Sequence, residues 1–137
     1  MSTYLITGAN RGIGLELVRQ LKNRGENVIA TCRSTSSELD SLSVRVETGV
    51  DITSGDSIIN LRENLKDTKI DVLIQNAGIA EFNSLSSLDP QSILDQFVVN
   101  ALSPLCFVQT MLTHLSKSAK IALISSRMGS IEDNSSG

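Results

Sequence analysis

The hydrophobic positions of the chain alternate between two patterns. Short apolar runs predict buried strands, and stretches in which apolar side chains return at every third or fourth position predict helices with one packed face. The predicted strands cover residues 4–7, 28–32, 44–50, 70–75 and 121–124. The predicted helices lie between them, over residues 13–21, over a segment that ends before Lys69, and over 90–115 with an interruption at Pro104.

Polar residues mark where these helices begin. Thr53 or Ser54 can cap the second helix, and Asp89-Pro90 is typical of a cap followed by a first helical turn. The apolar face of the first helix consists of Ile13, Leu17, Val18 and Leu21.

Strands that alternate with helices over short connections predict a parallel sheet covered on both faces. Residues 44–50 alternate apolar and polar side chains, so this third strand has one wet face and belongs near a sheet edge. We expect an incomplete doubly wound α/β domain of about five strands in the order 3-2-1-4-5. The fifth strand, 121–124, then presents an unpaired apolar edge that is prone to aggregation unless another chain covers it.

Composition narrows the class of protein. The 137 residues allow one domain, 1–137, and 12 Lys and Arg against 15 Asp and Glu give a net charge of -3. Without a basic block, nucleic-acid binding is disfavoured. The longest uninterrupted apolar runs fall short of the roughly 18 residues of a membrane helix, so no membrane partner is expected. Two distant cysteines and no leader-like segment favour a cytoplasmic protein with free thiols.

A glycine-rich turn directly follows the first strand and opens the first helix, in the sequence Thr-Gly-Ala-Asn-Arg-Gly-Ile-Gly at 7–14. In this context Gly8 permits a sharp turn, Gly12 lets the backbone approach a pyrophosphate, and Gly14 lets helix and strand pack closely. An ordinary glycine-rich turn is the alternative interpretation.

This turn resembles the cofactor loop of the classical short-chain dehydrogenases/reductases, and Asn76-Ala77-Gly78 resembles the second signature of that family. The resemblance covers the whole chain. It is greatest for carbonyl-reductase and C-factor-like members, because 31–33 is Thr-Cys-Arg and 125–129 is Ser-Ser-Arg-Met-Gly. It implies a Rossmann-like fold and hydride transfer between a nicotinamide nucleotide and a small carbonyl or alcohol substrate. The cofactor contacts that it implies in these two motifs come from Gly8, Asn10, Arg11, Gly12, Ile13, Gly14, Asn76, Ala77 and Gly78.

The residues after the second strand favour NADP(H) over NAD(H). NAD sites hold the ribose 2′-hydroxyl with a carboxylate about 20 residues past the glycines. Here the strand ends in Cys32-Arg33, and Arg11 lies inside the glycine turn. Two guanidinium groups can bind a 2′-phosphate through paired hydrogen bonds. Taken alone, Arg33 could also be a solvated loop residue.

The resemblance also assigns residues to the adenosine end of the site. Asp51 would accept a hydrogen bond from the adenine amine, with the backbone of Ile52 beside it. Asn76 would brace the central strands and border the adenosine ribose. The alternatives are a loop aspartate that caps the next helix and a turn asparagine with satisfied hydrogen bonds.

Two residues match the catalytic set of the family. Ser126 matches the serine that binds the carbonyl, and Asn100 matches the asparagine of a water-linked proton relay. Pro104, four residues after Asn100, has no N–H, so the Asn100 carbonyl loses its helical partner and can hold a water. A plain loop hydroxyl and a simple helix kink are the alternatives.

The Tyr-x-x-x-Lys pair of the family is missing. The only tyrosine is Tyr4 and the last lysine is Lys120, both outside the expected position, and His114 has no partner for catalysis. No cluster of residues suggests a metal. We therefore expect the N-terminal, NADP(H)-binding portion of a reductase, inactive alone, with homo-oligomer contacts through the helix from Leu105 to Leu115. A short nucleotide-binding or signalling module without catalysis, and a non-functional remnant of a frameshifted gene, are the alternatives.

Overall fold

The strands form one parallel sheet. The computed structural model describes residues 1–133, and its strands are β1 (Thr3–Thr7), β2 (Asn27–Thr31), β3 (Arg45–Glu47), β4 (Ile70–Gln75) and β5 (Leu115–Leu123). Each pair of neighbours is parallel, in the order β3-β2-β1-β4-β5. The predicted order and the edge position of the third strand are confirmed.

Helices flank the sheet. They are α1 (Gly12–Asn23), α2 (Ser37–Asp40), α3 (Gly55–Leu65), α4 (Pro90–Phe97) and α5 (Ser103–Met111). A π-helical turn (Val98–Leu102) joins α4 to α5, and 3₁₀ turns lie at Leu112–His114 and Arg127–Gly129.

Two hydrophobic cores lie on opposite faces of the sheet. Successive strand residues point to opposite faces, and Leu5 and Ile6 accordingly belong to different buried clusters. The Leu5 cluster contains side chains of α3 and α5, and the Ile6 cluster contains side chains of α1 and α2. The sheet is therefore covered on both faces, as the alternation of elements predicts.

The predicted helix caps are present. The Ser54 side chain accepts a hydrogen bond from the Ser57 N–H and begins α3, so Ser54 rather than Thr53 is the cap. The Asp89 side chain accepts one from the Gln91 N–H, and Pro90 lies in the first turn of α4.

Several predicted details are wrong. Ile13 does not share the packed face of α1 and is 63% exposed. It lies in the first turn of α1, and helical side chains lean towards the helix N-terminus. The third strand is shorter than 44–50, since the chain turns at Gly49, which has a φ of +71°. A short helix, α2, occupies the serine-rich connection. The last helix ends before Leu115, where β5 begins with an irregular register against β4.

The helical stretch Pro90–His114 runs over 25 residues and is long and apolar enough, by length and composition alone, to cross a membrane. Counting only uninterrupted apolar runs overlooks this property. Phe107 and Met111 of this stretch are fully buried in the core with side chains of the sheet and α3. Its inner face is therefore part of the helical layer of the α/β fold.

The outer edge of β5 is exposed, as expected. Ile121 and Leu123 are 41% and 59% exposed, and the pairing of β5 is with β4 on one side only within the described residues. The neighbouring helical stretch also exposes apolar side chains, at Leu94, Phe97, Leu105 and Leu112.

Candidate functional site

A cleft of about 910 Å³ lies where the carboxyl ends of the central strands meet the following loops. Crevices at this edge, where the strand order reverses, are the usual ligand sites of doubly wound sheets. Its lining includes every predicted cofactor residue except Gly14: Gly8, Asn10, Arg11, Gly12, Ile13, Arg33, Asp51, Ile52, Asn76, Ala77 and Gly78. Cys32, Val50, Thr53, Ile79, Asp95, Val98 and Val99 complete it.

The local backbone explains why each of these three positions in the turn is a glycine. Gly8 and Gly12 have φ values of +65° and +57°, which side-chain-bearing residues rarely adopt. A Cβ on Gly12 would meet no atom within 4 Å, so this backbone is open to the cleft. A Cβ on Gly14 would overlap the Gly8 carbonyl oxygen and lie 2.5 Å from Asn76 Nδ2. Gly14 thus lies behind the cleft and permits the close packing of α1.

A hydrogen-bonded brace joins the ends of β1 and β4 beneath the cleft. The Thr7 hydroxyl oxygen accepts hydrogen bonds from the N–H groups of Asn76 and Ala77, both at 3.1 Å. Asn76 Nδ2 donates to the carbonyl oxygens of Thr7 at 3.1 Å and Gly8 at 3.0 Å. Asn76 therefore braces the central strands and borders the cleft at once. Sequence reasoning missed Thr7, although its place at the strand end, just before Gly8, was a usable signal.

Two exposed arginines provide free positive charge at the cleft. The guanidinium groups of Arg11 and Arg33 have no hydrogen-bond or ion-pair partner within residues 1–133. The shape of this region is fixed by Ser36, whose hydroxyl donates to the Asn10 carbonyl at 2.7 Å and accepts from the Leu39 N–H. The glycine turn is thereby tied to α2, and both guanidinium groups remain available to an anion.

Asp51 supplies negative charge on the same cleft. Its Oδ1 accepts hydrogen bonds from the Thr53 hydroxyl at 2.7 Å and the Thr53 N–H at 2.9 Å. These bonds, with a smaller contribution from the charge of Arg33, lower the pKa of Asp51 below its usual value and keep it ionised. Because Ser54 caps α3, the alternative in which Asp51 serves as that cap is wrong.

The thiols are free, as expected. Cys106 is exposed, whereas Cys32 is buried beside the cleft. Burial, with a smaller effect of Asp40, raises the pKa of the Cys32 thiol, so it stays protonated. Among the described residues, no group of three or more His, Cys, Asp or Glu side chains could hold a metal ion.

Asn100 lies in the π-helical turn and does not line the cleft. Its side chain accepts a hydrogen bond from the Ile79 N–H at 2.9 Å and donates to the Ile79 carbonyl at 2.8 Å. The helix passes Pro104 without a break, since the Ser103 N–H donates to the Val98 carbonyl across a wider turn. A relay role for the Asn100 carbonyl stays a prediction.

Ser126 is exposed and is not among the residues that line the cleft. Its hydroxyl accepts a hydrogen bond from the Met128 N–H and caps the last 3₁₀ turn. His114 is buried, with Nδ1 3.0 Å from the Thr68 carbonyl oxygen, and Tyr4 is half-buried in β1. Neither residue is placed for proton transfer at the cleft.

The model of the short chain dehydrogenase family matches residues 2–135. The chain belongs to this family. A 1-hydroxy-2-glutathionyl-2-methyl-3-butene dehydrogenase from Rhodococcus sp. (strain AD45) is 39% identical over 139 residues, which cover 100% of this chain and 62% of the relative.

Solved structures of carbonyl reductases in this family share the fold. The carbonyl reductase from Pseudomonas aeruginosa PAO1, in complex with NADP, matches with a TM-score of 0.92 and 31% sequence identity. The match covers 100% of this chain and 66% of the reductase chain. The NADPH-bound carbonyl reductase from chicken fatty liver has a TM-score of 0.83 and 31% identity, with 98% and 63% covered. The chain therefore spans less than two thirds of the length of these relatives, and the predicted resemblance to carbonyl reductases agrees with them.

Substitution of Gly14 tests the close packing behind the cleft. We expect Gly14→Ala to lower the free energy of unfolding by about 3 kcal/mol, because the added methyl group overlaps backbone that cannot move freely. The measurement is thermal and urea unfolding of the purified chain.

Gly55→Ala is the matched control. Its added methyl group meets no atom within 4 Å at the start of α3, so we expect a change within about 0.5 kcal/mol. Equal effects of the two substitutions would contradict the packing role of Gly14.

Proposed function

We propose that residues 1–137 form the N-terminal, NADP(H)-binding portion of a short-chain reductase or dehydrogenase that acts on a carbonyl or alcohol. The observation that carries the proposal is a pair of exposed guanidinium groups beside a glycine turn at one cleft. They belong to Arg11 and Arg33 and have no hydrogen-bond or ion-pair partner within residues 1–133. The rest of the proposal follows from the chemistry of the same lining.

The glycine turn suits a pyrophosphate. The backbone at Gly12 faces open space, and α1 begins there with free N–H groups and the positive end of its dipole. Gly8, Asn10, Ile13 and Gly14 would shape this cradle. An anion with two phosphate groups matches the donors that are present.

The guanidinium groups suit a 2′-phosphate. NAD(H) would leave both without a charged partner, whereas NADP(H) offers each an anionic oxygen. The carbonyl reductase from Pseudomonas aeruginosa PAO1 was crystallised with NADP, which supports the same choice here.

The remaining walls suit an adenosine group. The ionised Asp51 can accept a hydrogen bond from an amine, and Ile52 is buried beside it. Asn76, Ala77 and Gly78 would border the ribose from the end of β4. All of these contacts would be made with the nucleotide, so they concern cofactor binding and not the chemical step.

The chemistry belongs to the whole protein. When bound, the reduced nicotinamide nucleotide supplies a hydride to a carbonyl carbon. Ser126 would donate a hydrogen bond to the carbonyl oxygen, and the backbone of Asn100 would hold a water for proton relay. The names of the relatives, a dehydrogenase of a 1-hydroxy compound and carbonyl reductases, support this substrate class.

A cytoplasmic homo-oligomer completes the proposal. The exposed apolar side chains Leu94, Phe97, Leu105 and Leu112 all belong to one helical stretch. Burying them against a second copy would remove a sizeable apolar surface from water. Sedimentation of the purified chain tests this contact.

Removal of Arg33 tests the choice of nucleotide. We expect Arg33→Ala to raise the Kd for NADPH by about ten- to a hundredfold, because one charge-assisted phosphate contact is lost. The Kd for NADH should change by less than about twofold. The measurement is fluorescence titration with both nucleotides.

Arg24→Ala is the control, since Arg24 lies at the far end of α1 and faces Glu26. We expect no change in either Kd. A wild-type chain that binds NADH as tightly as NADPH, or an Arg33→Ala chain with unchanged NADPH affinity, would contradict the proposal.

The missing proton donor generates a separate prediction. Because the sequence contains no Tyr-x-x-x-Lys pair, we expect the 137-residue chain to oxidise NADPH with a panel of aldehydes and ketones at the background rate. A measurable turnover that Ser126→Ala abolishes would contradict this expectation. Codons for a Tyr-x-x-x-Lys motif downstream of Gly137 would favour the reductase over a non-catalytic nucleotide-binding module.

A further inference from the structure

Three polar side chains on one face of a single helical stretch hold the loop that follows β4. Ser92 and Gln96 lie in α4, and Asn100 lies in the π-helical turn. Residues four apart are neighbours on a helix surface, so the three form a continuous polar row. The loop segment that they contact is 79–83.

Gln96 repeats the contact that Asn100 makes. Asn100 binds both the N–H and the carbonyl of Ile79, and Gln96 accepts from the Glu81 N–H at 3.0 Å and donates to the Glu81 carbonyl at 3.1 Å. Alternate loop residues are thus bound by two carboxamides, one helical turn apart. The arrangement imitates two rungs of strand pairing.

Ser92 completes the row beneath Glu81. Its side chain is buried, its hydroxyl donates to Glu81 Oε2 at 2.6 Å, and it accepts from Asn83 Nδ2 and Gln96 Nε2, both at 3.3 Å. The second N–H of the Gln96 carboxamide is therefore also bound. Each of the three side chains thus has at least one hydrogen-bond partner in the loop.

One further hydrogen bond holds the end of this segment, from the Asp89 N–H to Asn83 Oδ1 at 2.7 Å. None of the backbone–backbone hydrogen bonds of the described residues involves 79–83. The backbone groups of Ile79 and Glu81 are held by side chains alone, and Ile79, with Ala77 and Gly78, lines the cleft. The position of this wall therefore depends on residues that do not touch the cleft.

We propose that Gln96 is a positioning residue for the cofactor cleft, acting through Glu81 to fix Gly78 and Ile79, the part of the wall that lies beyond the brace at Ala77. The inference rests on the proposed nucleotide binding at this cleft. Loss of the Gln96 contacts releases one of the two rungs, and the loop then samples positions in which the wall no longer meets the nucleotide.

Gln96→Met tests the proposal, since methionine keeps the length and helical preference of the side chain but forms neither hydrogen bond. We expect amide hydrogen exchange of Ile79 and Glu81 to accelerate by about tenfold, because two hydrogen bonds that close the loop are lost. The Kd for NADPH should rise by about three- to tenfold. Exchange in β1 and β4 should not change.

Gln109→Met is the matched control. Gln109 is an exposed residue of α5 on the same helical stretch, with no side-chain hydrogen bond among the described residues. We expect its exchange rates and NADPH affinity to equal those of the unsubstituted chain. Ser92→Ala is the second variant, because it leaves both Gln96 bonds to Glu81 in place, and it should accelerate exchange at Glu81 by less than Gln96→Met does.

NADPH affinity and amide exchange together distinguish a failure of the proposed function from a failure of the role proposed for Gln96. If the unsubstituted chain fails to bind NADPH, the proposed function fails, and the exchange measurement still decides whether Gln96 holds the loop. Unchanged exchange at Ile79 and Glu81, or unchanged NADPH affinity beside normal binding by the unsubstituted chain, would overturn the role of Gln96. Uniform acceleration throughout the sheet would assign it a general structural role and overturn the proposal as well. If Gln96→Met does not fold, Gln96→Ala, which also lacks both bonds to Glu81, takes its place: unchanged exchange at Ile79 and Glu81 overturns the proposal, and acceleration confined to this loop supports it.

Discussion

The close approach of the β1–α1 turn to the end of β4 is the contact on which the cleft depends. The Thr7 hydroxyl accepts hydrogen bonds from the N–H groups of Asn76 and Ala77, and the Asn76 side chain donates to the carbonyls of Thr7 and Gly8. The start of α1 packs against this network, and Gly14 permits the close packing because a Cβ there would overlap the Gly8 carbonyl oxygen and Asn76 Nδ2. One missing methyl group thus sets the geometry of the turn, the first helix and the signature after β4 together.

The charges of the cleft follow from the strand order. Because β2 and β3 lie on one side of β1, their ends bring Arg33 and Asp51 to the same cleft as the glycine turn. The opposite side, beyond β4, supplies a wall that is held by the helical stretch from Pro90. A phosphate-rich ligand would therefore meet positive charge and helix N–H groups at one side and a fixed backbone wall at the other.

Local physics made much of this arrangement predictable. Strand order, the caps at Ser54 and Asp89, and the conformational demand at Gly8 each depend on short-range patterns that the sequence displays directly. The features that the sequence did not predict depend on tertiary structure. The exposure of Ile13 depends on how the first turn of α1 lies in the folded chain. The partners of Gln96 and Asn100 lie 15 and 21 residues away in a loop with no periodic pattern. Polar pairings of this kind become visible only once the chain is folded.

The central claim is that one cleft, built on the brace between β1 and β4, binds a phosphorylated nicotinamide nucleotide. A map of backbone amide chemical shifts during titration with NADPH tests it most directly. We expect the shifted amides to cluster at 8–14, 32–33, 51–53 and 76–79, with little change on the outer faces of α3 and β5. Shifts that are absent, or that concentrate away from these segments, would contradict it.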